Sequence, residues 1–303
     1  MVLCGDSAHV FPPCKPYSLL IVSGRTDTCT VGGQGIASGF RDSISLAWRL
    51  ALLCRYQSPG SDSHKTVLTA WYQERKQQLD QSLATTIRNG QFVTENNAFK
   101  IFQRSWYLWL VQLVPSWKRD LQQGPRIEGP VRYSYLTGMP FVPDLNGGLN
   151  VPQVYCRDIS GKVYFTDDVI FRQPAAGIFR MFVYLNNNSD IPAASEILKK
   201  VEKWSHGELI ANNTPFLVEH VDHEKVAIAK DHTVYQLATG EEFAKSPLCI
   251  RRPDPVLYDK YQIRDKIRGK FVIVRPDRFI FAACSEEDEL KRAIESMLIV
   301  LQI

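Results

Sequence analysis

A glycine-rich turn that leads into an amphipathic helix is the feature that most constrains the fold of this 303-residue chain. The turn is Gly32-Gly33-Gln34-Gly35, and the apolar residues after it recur at three- and four-residue spacing to about Leu53. That period predicts a helix with one buried stripe. Because the first backbone N–H groups of a helix have no partner within it, this N-terminus favours negative charge.

A second motif, close to the start of the chain, fits the same kind of site. The apolar segment at residues 2–4 predicts a strand that places Asp6 at the carboxyl edge of a sheet, where α/β folds bind their ligands. A carboxylate at that edge accepts hydrogen bonds from ribose or ribityl hydroxyl groups, and Pro13 stiffens the chain that follows. The two motifs in this order, followed by the helix, favour a cofactor site. We interpret His9 and Asp42 as structural residues.

These residues together resemble the second flavin-binding motif of FAD-dependent aromatic hydroxylases of the phenol 2-monooxygenase type. The resemblance implies that the start of the helix faces the N1–C2=O edge of the isoalloxazine ring, which becomes anionic when the flavin is reduced. The residues implied to bind FAD are Asp6, Pro13, Gly33, Gln34 and Gly35. No residue of the chain is assigned a catalytic role.

The spacing inside this motif departs from the family pattern. A single residue normally separates the second proline from the glycine-rich turn, whereas residues 14–31 stand between them here. We interpret residues 15–31 as an insertion, because they show neither a helical nor a strand period that would dock them on a sheet. A retained intron is one hypothesis for its origin, and sequencing the transcript tests it.

Two further helices are predicted in the first part of the chain. The first contains the sequence Trp-Tyr-Gln-Glu-Arg at residues 71–75, which resembles the Y-x-x-E-R segment of the same hydroxylases and is interpreted as a packing face. The second covers residues 98–114, and its aromatic stripe is expected to lie in a core. Residues 1–123 are therefore interpreted as a partial FAD-binding domain, and the glycine- and proline-rich residues 124–148 as a connector.

Residues 149–303 are predicted to form a second domain that mixes strands and helices. Alternating and β-branched runs predict strands, and three- and four-residue spacing predicts helices. The order of these elements resembles that of a thioredoxin-like domain. The fold class predicted is therefore α/β (α+β), a helical remnant of an FAD-binding domain followed by a thioredoxin-like domain. The predicted strands are 153–156, 178–185, 216–221, 271–274 and 279–283, and the predicted helices are 193–204 and 286–301.

Two segments of this second domain strengthen the resemblance. The sequences YDKYQI at residues 258–263 and FVIVRPD at residues 271–277 resemble the signature of the C-terminal domain of phenol 2-monooxygenase-like enzymes, which serves dimerisation. The resemblance implies a homodimer formed through this domain. We interpret Arg275-Pro276-Asp277 as a tight turn in which proline fixes φ and the aspartate accepts local N–H bonds. No redox role is expected, because the cysteines of this domain are isolated from one another in sequence.

Composition and spacing argue against several other functions. At residues 219–224 the sequence Glu-His-Val-Asp-His-Glu contains ligand-type side chains, but on a strand His220 and Asp222 share a face that His223 does not, so no metal site is predicted. A net charge of +4 without a basic, aromatic-interleaved run argues against a nucleic-acid partner. With no secretory signal or membrane-length apolar run, and with seven scattered cysteines, we expect a cytoplasmic protein without a membrane partner. Peripheral membrane binding through the aromatic stripe at residues 106–117 is a remote third alternative.

The resemblance implies a flavin monooxygenase in its complete form, which hydroxylates a phenolic or aromatic substrate with FAD, NADPH and O₂. This chain contains no Gly-x-Gly-x-x-Gly sequence that would bind the pyrophosphate. We therefore expect a truncated enzyme that is inactive alone and does not retain FAD. The alternative is a non-catalytic remnant that acts only as a dimerisation or interaction module.

Overall fold

The computed structural model describes residues 34–56, 63–123, 131–172, 177–221, 233–245 and 260–302. The chain separates into two compact units, an N-terminal unit of residues 1–47 and 71–128 and a C-terminal unit of residues 48–70 and 129–303. Helix α1 (Gln34–Tyr56) and helix α2 (Ser63–Val93) therefore each contribute residues to both units.

The described part of the N-terminal unit is helical. Besides α1 and α2 it contains α3 (Ala98–Leu113) and α4 (Pro115–Gln123). The three helices predicted from the sequence are confirmed, and α3 ends just before Pro115, whereas α4 was not predicted. Pro115 opens α4, since the first turn of a helix does not need its missing N–H. Val114 before it is extended, as the residue before a proline usually is.

Helix α1 buries the face opposite to the predicted one. The predicted apolar stripe includes Phe40 and Ile44, which are 65% and 53% exposed. The prediction of the buried stripe is wrong, because hydrophobic spacing identifies a continuous face but not the neighbour that covers it. The face that is buried carries Ser38, Asp42, Ser45, Trp48, Arg49 and Leu52.

Helix α3 also exposes its apolar side. Its N-cap is Asn97, whose side-chain oxygen accepts hydrogen bonds from the backbone N–H groups of Phe99 and Lys100. The expectation that its aromatic stripe lies in a core is wrong for the described structure, in which Val111 is the buried residue of this helix. We define the α3 aromatic stripe by its exposed members Phe99, Phe102, Trp106, Trp109, Leu110 and Leu113. None of the described helices is both long and apolar enough to cross a membrane.

The C-terminal unit is a mixed α/β structure. Its described residues form a seven-stranded sheet with helices around it. The strands are β1 (Tyr155–Arg157), β2 (Val163–Phe165), β3 (Arg180–Asn187), β4 (Phe216–His220), β5 (Val234–Leu237), β6 (Phe271–Val274) and β7 (Ile280–Cys284). The helices are α5 (Thr166–Phe171), α6 (Ile191–Trp204), α7 (Gly240–Ala244), α8 (Tyr261–Ile267) and α9 (Glu287–Gln302).

The sheet has the strand order β2-β1-β5-β4-β3-β6-β7. Strands β3, β4 and β5 are parallel, with α6 as the crossover between β3 and β4. The remaining pairs, β3 with β6, β6 with β7, β1 with β5 and β1 with β2, are antiparallel. Every strand and helix predicted in this unit is present, whereas β2, β5, α5, α7 and α8 were missed because they are too short to show a period.

Residues 131–148, which the sequence indicated to be a connector, contribute to the core of this unit. The backbone N–H of Val142 donates to the carbonyl of Phe281 in β7 over 2.8 Å. Gly147 lets its own backbone pack closely against Val142, because a Cβ at Gly147 would lie 2.5 Å from the carbonyl oxygen of Val142. The predicted domain boundary at residue 149 thus falls within a continuous core. The buried side chains that the segment adds are Tyr133, Met139, Phe141 and Leu145.

Candidate functional site

The described structure contains two of the five residues implied to bind FAD. Gln34 and Gly35 are the first described residues of α1, which continues to Tyr56. Asp6, Pro13 and Gly33 lie outside the described residues, as do residues 15–31. The first turn of α1 has no acidic side chain. The first N–H groups of any helix have no partner within it, so a helix that starts in this turn would suit a group that carries negative charge.

A buried polar cluster in the N-terminal unit connects α2 to the next two turns of α1. Nε of Arg75 on α2 lies 2.5 Å from Oδ1 of Asp42, and its Nη2 lies 3.3 Å from Oγ of Ser38. Nη1 of Arg75 donates to the side-chain oxygen of Gln78. Arg75 and its three partners are buried. Asp42 is therefore a structural residue, as interpreted from the sequence.

The segment at residues 71–75 is a packing segment, in agreement with its sequence interpretation. Trp71, Glu74 and Arg75 are buried, whereas Tyr72 faces away from the packed side and is exposed. The sequence did not indicate that Arg75 reaches α1. Asp42 could have indicated this contact, because a carboxylate that is buried in the middle of a helix needs a partner of opposite charge.

A second charged cluster, in the C-terminal unit, joins α1 to the turn between β6 and β7. The carboxylate of Asp277 accepts hydrogen bonds from Arg275, at 3.0 Å from Nε and 2.6 Å from Nη2. It also accepts one from Nε1 of Trp48 at 2.9 Å, and Nη1 of Arg49 lies 3.7 Å away. The guanidinium carbon of Arg49 is 4.5 Å from the centre of the Trp48 ring, which is a cation–π distance. Trp48, Arg49 and Arg275 are buried, and the side chain of Asp277 is 5% exposed.

The turn at residues 275–277 is therefore more than a local turn. The backbone forms the predicted tight turn, because the N–H of Arg278 donates a hydrogen bond to the carbonyl of Arg275 over 3.0 Å. The carboxylate of Asp277 was expected to accept local backbone N–H bonds, but it accepts side-chain bonds from Arg275 and Trp48. Burial raises the pKa of Asp277, but Arg275, Arg49 and Trp48 outweigh burial and hold this pKa below its ordinary value.

The described residues contain no group of side chains that could hold a metal ion. Glu219 is buried and accepts a hydrogen bond from the hydroxyl of Tyr184, while Nη1 of Arg264 lies 3.9 Å from its other oxygen. Burial and this hydrogen bond to Glu219 raise the pKa of Tyr184. His220 next to it is exposed, and Asp222 and His223 lie outside the described residues.

The two described cysteines of the sheet are buried single thiols. Cys156 and Cys284 lie on β1 and β7, at separate places in the sheet. Burial raises the pKa of Cys156 and raises that of Cys284 to about 12, so neither is a reactive thiolate near neutral pH. The third cysteine considered for a redox pair, Cys249, is not among the described residues.

Comparison with known proteins finds similarity to aromatic hydroxylases. No protein-family model matches the chain. Over 119 residues, 39% of this chain, it is 25% identical to the 3-(3-hydroxy-phenyl)propionate/3-hydroxycinnamic acid hydroxylases of Klebsiella pneumoniae and Escherichia coli. The match spans 18% of the length of those enzymes. Among solved structures, the flavin-dependent monooxygenase PieE in complex with FAD and substrate aligns with 89% of this chain and 45% of its own, at 16% identity and a TM-score of 0.48.

Proposed function

We propose that this chain is a portion of an FAD-dependent aromatic hydroxylase, which in its complete form hydroxylates a phenolic substrate with NADPH and O₂. The observation that carries the proposal is that Gln34 and Gly35 of the glycine-rich turn belong to helix α1. The similarity to two hydroxylases of hydroxylated aromatic acids supports the same class of substrate. FAD, when bound, supplies the transfer of electrons from NADPH to oxygen.

The start of α1 fits the electron-rich edge of a flavin. On this proposal the helix begins in the glycine-rich turn, where its first N–H groups have no partner within the helix. No carboxylate in the first described turn repels negative charge. Such preorganised donors stabilise charge that develops on the N1–C2=O edge during reduction. Asp6, Pro13 and Gly33 complete the proposed site.

We propose that residues 149–303 form the thioredoxin-like domain of this enzyme and that the chain dimerises through it. The central order β4-β3-β6-β7 supports this proposal, because β3 and β4 are parallel and joined by α6, whereas β6 and β7 form an antiparallel pair followed by α9. The buried single thiols Cys156 and Cys284 fit a structural role in place of a redox role.

A second candidate function is a non-catalytic dimerisation module. The observation that favours it is the continuous core of the C-terminal unit, which does not depend on any residue of the flavin motif. On this alternative, the residues near Gln34 descend from a flavin site but bind nothing.

One experiment separates the two functions. A longer chain that includes the upstream genomic sequence and lacks residues 15–31 is purified, titrated with FAD, and assayed for phenol-stimulated NADPH oxidation. The hydroxylase proposal expects a dissociation constant near micromolar, an affinity of about −8 kcal/mol, and turnover of a phenol. If the longer chain is folded and dimeric but binds no FAD, the hydroxylase proposal fails and the dimerisation module stands.

A further inference from the structure

The early turns of α1 depend on polar contacts for their packing. Phe40 and Ile44 on the apolar face are exposed, so hydrophobic burial on that face does not fix this part of the helix. The buried face presents Ser38 and Asp42, which follow Gln34 by about one and two helical turns. Both side chains contact the guanidinium of Arg75.

The geometry of Arg75 makes it suited to fix the rotation of α1 about its own axis. A guanidinium is planar and carries its donors in a rigid fork, so two acceptors on successive turns of a helix specify one orientation. Gln78, one turn further along α2, accepts from the remaining Nη1 and orients the fork. The charge is buried with Asp42 as its counter-ion, and a buried pair is costly to separate.

We propose that Arg75 is a positioning residue that fixes the rotation of the flavin-binding start of α1 about the helix axis. The proposal rests on the proposed function, because it takes Gln34 and Gly35 to be the FAD-binding end of the helix. Arg75 does not contact the flavin. It acts through Asp42 and Ser38, and its loss frees the helix start while leaving the C-terminal unit folded.

The test measures local opening in this chain and flavin affinity in the longer chain, which includes the upstream sequence and lacks residues 15–31. Arg75→Gln and Asp42→Asn each remove the buried ion pair, and Lys76→Gln is the matched control, since it removes the same charge from the adjacent, exposed position of α2. Amide hydrogen exchange is followed by mass spectrometry for peptides that cover residues 34–44 and, as an internal reference, α9. FAD affinity is measured by equilibrium dialysis for the longer chain with each of these substitutions.

The expected result is local. Both variants of the pair raise the exchange rate of residues 34–44 by about tenfold or more, whereas the exchange of α9 and the behaviour of Lys76→Gln match the unmodified chain. Arg75→Gln also weakens FAD binding relative to Lys76→Gln. If Arg75→Gln does not fold, Asp42→Asn and the milder Ser38→Ala give the decisive exchange measurement.

Two outcomes overturn the proposal. Unchanged exchange at residues 34–44 shows that Arg75 does not hold the helix start, and an equal rise in α1 and α9 shows a general structural role. A local rise in exchange together with no FAD binding in the longer chain supports the positioning role of Arg75 and contradicts the proposed flavin site instead.

Discussion

At the scale of single residues, two buried arginine–carboxylate clusters join segments that are distant in sequence. From the sequence, the carboxylates of both clusters were interpreted as local structural residues. Asp42 meets Arg75 across 33 residues of sequence, and Asp277 meets Trp48 across 229. Each cluster places a polar face of α1 in a buried position. Removing one partner of such a cluster leaves the opposite charge buried without compensation.

Replacing Asp277 by asparagine is expected to destabilise the C-terminal unit by about 3–5 kcal/mol, because Arg275 and Arg49 then remain buried without their counter-charge. Urea unfolding followed by circular dichroism measures the loss. Asp265→Asn is the control, since Asp265 is 62% exposed and its loss is expected to cost no more than about 0.5 kcal/mol. Equal midpoints for the two variants would show that the Asp277 cluster contributes nothing to stability.

The Asp277 cluster also predicts a pH dependence of stability. Its folded-state pKa lies below the ordinary value, so its stabilisation is present above about pH 4 and is lost as the pH falls through the folded pKa. The difference in unfolding free energy between the unmodified chain and Asp277→Asn should therefore be constant from about pH 7 to pH 5 and shrink below about pH 4. The measurement is a series of urea titrations on both proteins. A difference that grows on acidification would contradict a lowered pKa.

At the scale of elements, α3 carries more large exposed apolar side chains than any other helix in the described part of the chain. Neighbouring aromatic residues of the α3 aromatic stripe contact one another, with the ring centres of Trp106 and Trp109 5.3 Å apart. Large exposed apolar surfaces of this kind normally meet a partner or associate with themselves. The N-terminal unit thus has an exposed surface that its own described residues do not cover.

The double variant Trp106→Ser/Trp109→Ser is expected to lower self-association, because it removes two exposed indole rings from the α3 aromatic stripe. Multi-angle light scattering over a concentration series gives the mass of the particles. Ile299→Ser serves as the control, because Ile299 is a single exposed apolar residue on α9. If the double variant and the control associate to the same extent as the unmodified chain, the stripe is not the associating surface.

The segment at residues 131–148 predicts a difference between two fragments of the C-terminal unit. A fragment of residues 131–303 retains Phe141 and Leu145 in the core, whereas one of residues 149–303 exposes the surface that they cover. The shorter fragment is expected to be less stable by at least the ~3–5 kcal/mol that removal of one buried aromatic side chain costs. Urea melting of both fragments tests this. Equal stabilities would support the boundary at residue 149 that the sequence indicated.

At the scale of the whole molecule, the chain offers few contacts to a cofactor as large as FAD. In the proposed site, Asp6 and the N–H groups at Gly33-Gln34-Gly35 would provide a small number of hydrogen bonds, each worth about 0.5–1.5 kcal/mol net. Association costs on the order of 4–15 kcal/mol in lost freedom of motion. The net affinity expected for the chain by itself is therefore close to zero.

A titration of this chain with FAD, followed by flavin fluorescence, is expected to show no saturable binding below about millimolar FAD, an affinity of only about −4 kcal/mol. NADPH oxidation is expected to stay at background when phenols are added. A matched titration with free riboflavin measures non-specific stacking on exposed aromatic side chains. A micromolar dissociation constant for FAD would show that the chain is a working flavoprotein without further sequence.

The sequence by itself determined the local elements of this protein. Helix α1, the strands β3, β4, β6 and β7, and the helices α6 and α9 all follow from short-range spacing, because a helical or strand period is set by neighbouring residues. The Arg-Pro-Asp sequence at residues 275–277 also predicted the tight turn there. Elements of a few residues, such as β2 and β5, were missed because so short a segment contains no measurable period.

Only the tertiary structure decided what those elements bury. The sequence pattern selected the face of α1 that contains Phe40 and Ile44, yet the buried face is the one with Asp42 and Arg49. The reason is physical: a buried charge is tolerated only where an opposite charge and hydrogen-bond donors meet it. Those partners, Arg75 and Asp277, are distant in sequence and near only after folding.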